Sequence, residues 1–236
     1  MTDDSTSDQI TASSSPGTEA LKPVKTGRRK RRVIMALLLA VVLLEVPQLF
    51  GETTYFTSSI ANLIFRNNFH TVVPDRLYRS AQMSDSDLES TIKKFGIKSV
   101  IDLRLDHATQ AEAVSQAGAK LFSVPLAGSR FPTKDELREL IQAFDQVETP
   151  VLVHCTSGSH RSAFASAMWL MYEEGKDPQA AQAQFNWRAG FFAVERQFRS
   201  WMSGKQTIDQ FIPQLMQGRS LKGEEFRTFI KRYLAG

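Results

Sequence analysis

The sequence predicts an α/β fold: a mostly parallel sheet flanked by helices, with a helical C-terminal extension and an N-terminal membrane anchor. Three features of the chain carry this. Between residues 71 and 204 short apolar segments alternate with amphipathic ones, the pattern of strand–helix units whose parallel strands are covered by helices. After Gly175 the strand pattern stops and only helical periodicity continues. Before residue 51 an unbroken apolar run follows directly on five adjacent cations. With 236 residues, 42% hydrophobic and 23% charged, the chain has the composition of a globular protein, which excludes wholesale disorder and a multi-span membrane protein. Its one cysteine, Cys155, excludes an intramolecular disulfide and a multi-cysteine zinc site.

Residues 1–32 read as a disordered, basic cytoplasmic tail, because residues 1–27 are rich in Ser, Thr, Asp, Pro and Gly and lack apolar periodicity. Seven of the 29 basic residues and four of the 25 acidic ones fall in residues 1–32, leaving 22 against 21 in the rest. The tail thus carries +3 of the net charge of +4 and the rest of the chain +1, and no nucleic-acid partner is expected. Val33 to Leu44 is apolar without a break, and the run extends past Glu45 to Phe50. Its length approaches the ~20 residues that span a bilayer. The expectation is a transmembrane anchor at 33–50, with a cleaved signal or a buried helix as the alternatives; no small-x-small cleavage site follows the run directly. Cations ahead of an anchor stay cytoplasmic, which places the chain beyond residue 50 on the far side. Residues 51–70 form a linker, 71–204 a catalytic domain and 205–236 a C-terminal helical extension.

Within the domain Leu77–Ser80 is a short strand. Ser84 to Asp87 carries a capping pattern that opens a helix, and Gly96 closes it. Lys98–Arg104 is the next strand, His107–Gly118 a helix and Leu121–Pro125 a strand. Thr133 to Glu136 is a second capping box, opening a helix with Leu137, Leu140, Ile141 and Phe144 on one face. Pro150–His154 is an apolar strand, and Ser162–Glu174 a helix that Gly175 stops. Residues 178–203 and 206–234 read as helical. The stripe of Phe191, Phe192, Val194, Phe198 and Trp201 belongs to core packing.

The chemistry is concentrated between Val151 and Ser162, where His154 and Cys155 are followed after five residues by Arg161 and Ser162. The cysteine stands at the carboxyl end of a buried strand, where open α/β sheets bind ligands. Thr156, Ser157, Gly158, Ser159 and His160 then form a polar loop that leads into a helix. Successive backbone N–H groups in such a turn make an anion-binding concavity, and the helix N-terminus adds partial positive charge. Arg161 supplies a planar fork matched to two phosphate oxygens. The same positive field lowers the Cys155 pKa and makes it a thiolate, so the predicted chemistry is transfer of a phosphoryl group to sulfur. A metal site of His154, Cys155 and His160 is disfavoured, since neighbouring strand residues face opposite ways. His154 is expected to point inward and brace the loop by hydrogen bonds. His70 and His107 carry no motif and are assigned to surface or core.

This loop resembles the signature of the cysteine-based protein tyrosine and dual-specificity phosphatases. The resemblance extends upstream through Asn68–Gln82 and Gly96–Arg104, which are similar to bacterial membrane-anchored members related to the atypical plant and fungal dual-specificity phosphatases. It implies a phosphatase-like fold that needs no metal or cofactor and acts on a phosphorylated protein or a small phosphomonoester. It implies that Cys155 is the nucleophile, that Arg161 binds the phosphoryl group, and that Ser162 assists thiolate departure. The implied location is a bacterial inner membrane, crossed once, with the catalytic domain outside the cytoplasm. Lipid or phosphosugar substrates, or binding of phospho-ligands without turnover, are the rival readings. The loop departs from the commoner bacterial pattern in having His160 at an acidic position and Ala163 after the hydroxyl. Many relatives place an acidic residue about thirty positions before the cysteine. Residues 121–131 contain no carboxylate, so the general acid falls to Asp135, Asp106 or His160, or to no dedicated group.

Overall fold

The computed structural model describes residues 66–105, 110–128, 130–186, 204 and 206–236. The apolar run at 33–50, Asp106, His107 and the stripe from Phe191 to Trp201 lie outside the described residues. Along the chain the elements are β1 (His70–Val73), β2 (Leu77–Ala81), α1 (Asp85–Phe95), β3 (Ser99–Asp102), α2 (Ala111–Gln116), β4 (Lys120–Ser123), α3 (Lys134–Gln146), β5 (Val151–Cys155), α4 (Arg161–Tyr172), α5 (Pro178–Gln182), α6 (Phe211–Met216) and α7 (Glu224–Ala235). The strands form one sheet in the order β1-β2-β5-β3-β4. Only β1 runs antiparallel to its neighbour, so the sheet is mixed but mostly parallel.

The local signals act as their chemistry dictates. Ser84 accepts the Asp87 N–H to start α1, and Gly96 ends that helix in the left-handed conformation. Thr133 and Glu136 close a complete capping box on α3. β5 lies between β2 and β3, and all five of its residues are buried. An uninterrupted apolar strand belongs there, because both of its faces are covered.

Three expectations need correction or refinement. β1 was not foreseen. It is an edge strand of mixed burial, joined to β2 by a tight turn in which the Arg76 N–H donates to the Val73 carbonyl. So short an edge strand shows no clean alternation. Within the described part of the expected 107–118 helix, only Ala111–Gln116 is α-helical. The helical stretch expected over 206–234 is a 3-10 turn at Ile208–Gln210 followed by two helices, α6 and α7. It breaks where Gln217 and Gly218 both adopt positive φ.

Each face of the sheet carries its own core. On one face Tyr78, Val100 and Leu152 meet Leu88 and Ile92 of α1 and Val114 of α2. On the other, Leu77, Ile101, Val151 and Val153 meet α3, α4, α6 and α7 in a single larger cluster. α4 is buried from Ser162 to Tyr172, with the sheet on one side and the C-terminal helices on the other. A fully buried Phe or Leu contributes about 1.5–3 kcal/mol over an exposed one, so Phe211, Phe226 and Ile230 make α6 and α7 part of this core. Polar fastenings add to it: the Arg227 Nε donates to the Tyr172 carbonyl at 2.6 Å, and Arg138 donates to the Leu234 carbonyl at 3.0 Å.

Candidate active site

The parallel sheet brings β5 to its end at Cys155, and the chain turns through residues 156–160 into α4. Backbone N–H groups converge on the sulfur: the Gly158 N–H donates to Sγ at 3.2 Å. The Ser162 hydroxyl, in the first turn of α4, lies 3.7 Å from the same atom. Cys155 and Ser162 are both buried. Burial by itself pushes the Cys155 thiol up. The Arg161 guanidinium, the Ser162 N–H and hydroxyl and the Gly158 N–H together outweigh burial, so the thiol is held below its ordinary range.

Arg161 is gripped at its head. Its Nη2 donates to the Thr156 hydroxyl at 2.8 Å, and its Nη1 donates to the Leu103 carbonyl at 3.2 Å. That carbonyl is aimed by the residue before it. Asp102 Oδ1 accepts the Arg104 N–H at 3.0 Å, and because this N–H shares a peptide plane with the Leu103 carbonyl, the oxygen turns to the opposite side, toward Arg161. Asp102 is in turn clamped by the Arg104 side chain, with Nε at 2.9 Å and Nη2 at 2.7 Å. Burial pushes the Asp102 carboxyl up, but the hydrogen bonds and charge of Arg104 bring it below the usual carboxylate range. On its other flank the Arg161 stem meets Gly128, where a Cβ would stand 3.3 Å from Cγ.

The back of the loop is held by residues of the Asn68–Gln82 segment, none of which had an individual role in the site assigned from sequence. The Asn68 side chain donates to the Ser157 carbonyl at 2.9 Å, and its Oδ1 lies 2.7 Å from His70 Nε2. With the Asn68 amide oriented this way, His70 Nε2 must be the protonated nitrogen. Burial first, then the charge of Arg79, lowers the His70 pKa and favours that neutral ring. The Gln82 N–H donates to the Thr156 carbonyl at 3.3 Å. Arg79 is itself buried on β2 and donates to the Gln184 carbonyl at 2.8 Å. Its burial lowers its pKa to about 10, against the opposing pull of Cys155.

The structure thus brings together Cys155, Thr156, Ser157, Gly158, Arg161 and Ser162. Ser159 is buried, and its hydroxyl donates to the Ser157 carbonyl at 3.4 Å. His160 stands half-buried at the N-cap of α4 without its side chain capping the helix. The expectation for His154 is corrected in one respect. Its ring is buried, but neither nitrogen has a hydrogen-bond partner among the described residues, and Asp102 Oδ1 stands 3.8 Å away. Arg104 already occupies that carboxylate. Burial, with Arg104 and Arg161 acting against Asp102, lowers the His154 pKa to about 4, so the ring is neutral. What fastens this position is the backbone, where the Leu103 N–H donates to the His154 carbonyl at 3.0 Å. Asp135 lies in the first turn of α3 with its side chain 84% exposed and ion-paired to Arg138. That place explains an acidic residue by charge–dipole complementarity at a helix start.

A buried sulfur whose thiol is held below its ordinary range, with the Gly158 and Ser162 N–H groups on it and a fastened guanidinium nearby, is an arrangement suited to a tetrahedral oxyanion. The family model for the dual specificity phosphatase catalytic domain matches residues 77–208, more than half of the chain. The chain belongs to this family. It is a cysteine-dependent phosphatase, a hydrolase. It is similar to the dual specificity protein phosphatase TpbA of Pseudomonas aeruginosa strain UCBPP-PA14, 29% identical over 164 residues that make up 68% of this chain and 72% of that one. Among solved structures it is similar to P. aeruginosa TpbA, with 25% identity and a TM-score of 0.46, covering 65% of this chain and 92% of that chain. A cysteine-to-serine form of TpbA in complex with pTyr matches at 23% identity, with the same coverage and TM-score. The core catalytic domain of the S. cerevisiae PP-IP phosphatase SIW14 matches at 20% identity and a TM-score of 0.41, covering 64% and 91% of the two chains.

Proposed function

We propose that this phosphatase hydrolyses phosphomonoesters through a cysteinyl-phosphate intermediate. The Cys155 thiolate attacks phosphorus, the S–P bond forms, and the ester P–O bond breaks with its electron pair leaving on the alcohol or phenol oxygen, which takes a proton. Water then attacks phosphorus and loses a proton. The S–P bond breaks, its electrons return to Cys155 as thiolate, and inorganic phosphate departs. Arg161 binds two equatorial oxygens in both steps, the N–H groups of Thr156 to Arg161 line the rest of the phosphate cradle, and the Ser162 hydroxyl donates to the departing sulfur. The single observation that carries this reading is the Gly158 N–H 3.2 Å from a cysteine sulfur whose pKa is held down beside Arg161.

The substrates we propose are phosphotyrosine, phosphoserine and phosphothreonine proteins, a reading supported by the description of the P. aeruginosa relative as a dual specificity protein phosphatase. A second reading, phosphatase action on lipid or phosphosugar at a membrane, is favoured by the cations and apolar run at 28–50. Phosphotyrosine and phosphothreonine peptides and phospholipid vesicles, offered separately to the full-length chain, distinguish the two. The expected result is release of phosphate from the peptides and, after a rapid acid quench, a phosphate-mass adduct on the peptide containing Cys155. Turnover confined to vesicles selects the second reading. Turnover of any of them without an adduct on Cys155 removes the mechanism.

We further propose that residues 33–50 tether the enzyme to a bacterial inner membrane, with residues 1–32 cytoplasmic and the catalytic domain outside. Among the described residues no helix is long and apolar enough to cross a membrane, and the run itself lies outside them. A reporter active only beyond the inner membrane, fused after Gly236, is expected to be active. Activity of a cytoplasmic reporter at the same junction instead overturns this placement.

A further inference from the structure

We propose that Glu136, besides capping α3, is a positioning residue for Arg161: its carboxylate fastens both ends of the loop from Ala127 to Thr133, whose Gly128 walls the arginine's stem. The inference rests on the phosphatase reading of Arg161 given above.

An ordinary capping box uses its acidic side chain on the N-cap N–H alone and leaves the rest of the carboxylate to water. Glu136 is engaged further. Its Oε2 accepts from the Thr133 N–H at 2.7 Å and from Arg130 Nη1 at 2.7 Å. Its Oε1 accepts from Arg130 Nη2 at 2.9 Å and from the Ala127 N–H at 3.4 Å. The side chain is only 15% exposed, whereas that of Asp135 beside it is 84% exposed. Arg130 Nη1 also donates to the Phe131 carbonyl at 2.8 Å, so the fork joins the Glu136 carboxylate to the loop backbone. Burial pushes the Glu136 carboxyl up, but Arg130 and the Thr133 N–H bring it below the usual range and keep it charged.

Gly128 follows directly on Ala127. A Cβ at Gly128 would lie 3.3 Å from Arg161 Cγ, 3.6 Å from Cδ and 3.7 Å from Nε, so the loop backbone rests on the arginine stem. Beyond the stem, the head is held by the Leu103 carbonyl and the Thr156 hydroxyl. Arg161 therefore sits in a slot with one wall made by those two acceptors and the other by Gly128. The far end of the loop has its own apolar anchor, Phe131 edge-on to Phe211 and Phe211 edge-on to Phe164. The Gly128 end has the charged tie through Ala127. Releasing that tie lets one wall of the slot move while the helix below stays folded.

The test is inhibition by inorganic phosphate, measured on the full-length enzyme together with its Tm. Misplacing a binding group by about 1 Å costs on the order of 10²-fold, so a partial release in Glu136→Gln or Arg130→Met is expected to raise the phosphate inhibition constant about fivefold or more. Thr133→Ala removes the other half of the capping box and keeps the carboxylate ties. It is expected to lower Tm while leaving phosphate inhibition within about twofold of wild type. If all three variants weaken phosphate binding only in proportion to their loss of Tm, or if Glu136→Gln and Arg130→Met bind phosphate like wild type, the positioning role is wrong. Arg161→Ala completes the series. Unchanged phosphate affinity there overturns the reading of Arg161 itself, whereas loss there with no loss in Glu136→Gln overturns only this inference. Should Glu136→Gln fail to fold, Arg130→Met carries the same test from a side chain that is 42% exposed.

Discussion

Cys155→Ser is expected to lose on the order of 10⁴-fold or more in turnover of a phosphopeptide while still binding phosphate or vanadate. A serine hydroxyl in the same place stays protonated, because Arg161 and the N–H groups that favour a thiolate cannot offset the much higher pKa of an alcohol. The oxyanion cradle is untouched by the exchange, so binding survives. Arg161→Lys is expected to fail for a different reason: an ammonium lacks the fork that reaches Thr156 and Leu103 on one side and two phosphate oxygens on the other. Loss of such a transition-state contact costs about 10²–10³-fold. The thiolate can be read directly from the pH dependence of alkylation by iodoacetate. Arg161 lowers the Cys155 pKa, so the midpoint lies below that of a free thiol in wild type and moves upward in Arg161→Met. Substantial phosphatase activity in Cys155→Ser, or an unmoved midpoint in Arg161→Met, contradicts this account of the site.

Gly158→Ala is the second substitution expected to be severe, and its cause is steric. Gly158 has φ +72°, and an added Cβ would lie 2.6 Å from the Ala81 nitrogen, 2.8 Å from Asn68 Nδ2 and 2.8 Å from the Ser80 carbonyl carbon. None of these is the free end of a flexible chain. Two are backbone atoms of β2, and the third is the amide that holds the Ser157 carbonyl. The loop must retreat, and the Gly158 N–H then leaves the sulfur. A fall in kcat/KM of about 10²-fold or more is expected, with destabilisation of about 1–3 kcal/mol from strain and overpacking. Gly96→Ala is the control. Its φ is +59°, but nothing lies within 4 Å of the added methyl. It should cost stability through the left-handed backbone alone and leave kcat/KM unchanged. Near-normal activity of Gly158→Ala would mean that the loop does not need its contact with β2.

Much of the molecule was legible from local signals. The capping residues of α1 and α3, the buried β5 and the strand–loop–helix around Cys155 all follow from side chains acting on their own few neighbours. The break between α6 and α7 was not legible, because Gln217 adopts a left-handed conformation that its residue type does not announce. For the site, Cys155, Gly158, Arg161 and Ser162 were readable because they lie in one short segment and are chemically distinctive. Asn68, Asp102, Arg104, Gly128 and Glu136 were not read as parts of it. Each looks ordinary in its own segment, as a turn residue, a strand end, a loop glycine or a helix cap.

The atoms proposed to react are marked by local sequence alone. A lone cysteine at a strand end and an arginine six residues later, with a glycine between, define the proposed phosphate loop through local covalent spacing and the dipole of one helix. How that loop is held depends on long-range packing. The parallel pairing of β5 with β2 and β3 sets Ala81 beside Cys155 and Asp102 beside His154. It thereby brings the Asn68 amide behind the loop, the Leu103 carbonyl in front of Arg161, and Gly128 against its stem. These contacts join residues up to 89 positions apart. No propensity or spacing within one segment encodes them; they exist because burying both faces of the sheet fixes its register and so decides which loops meet.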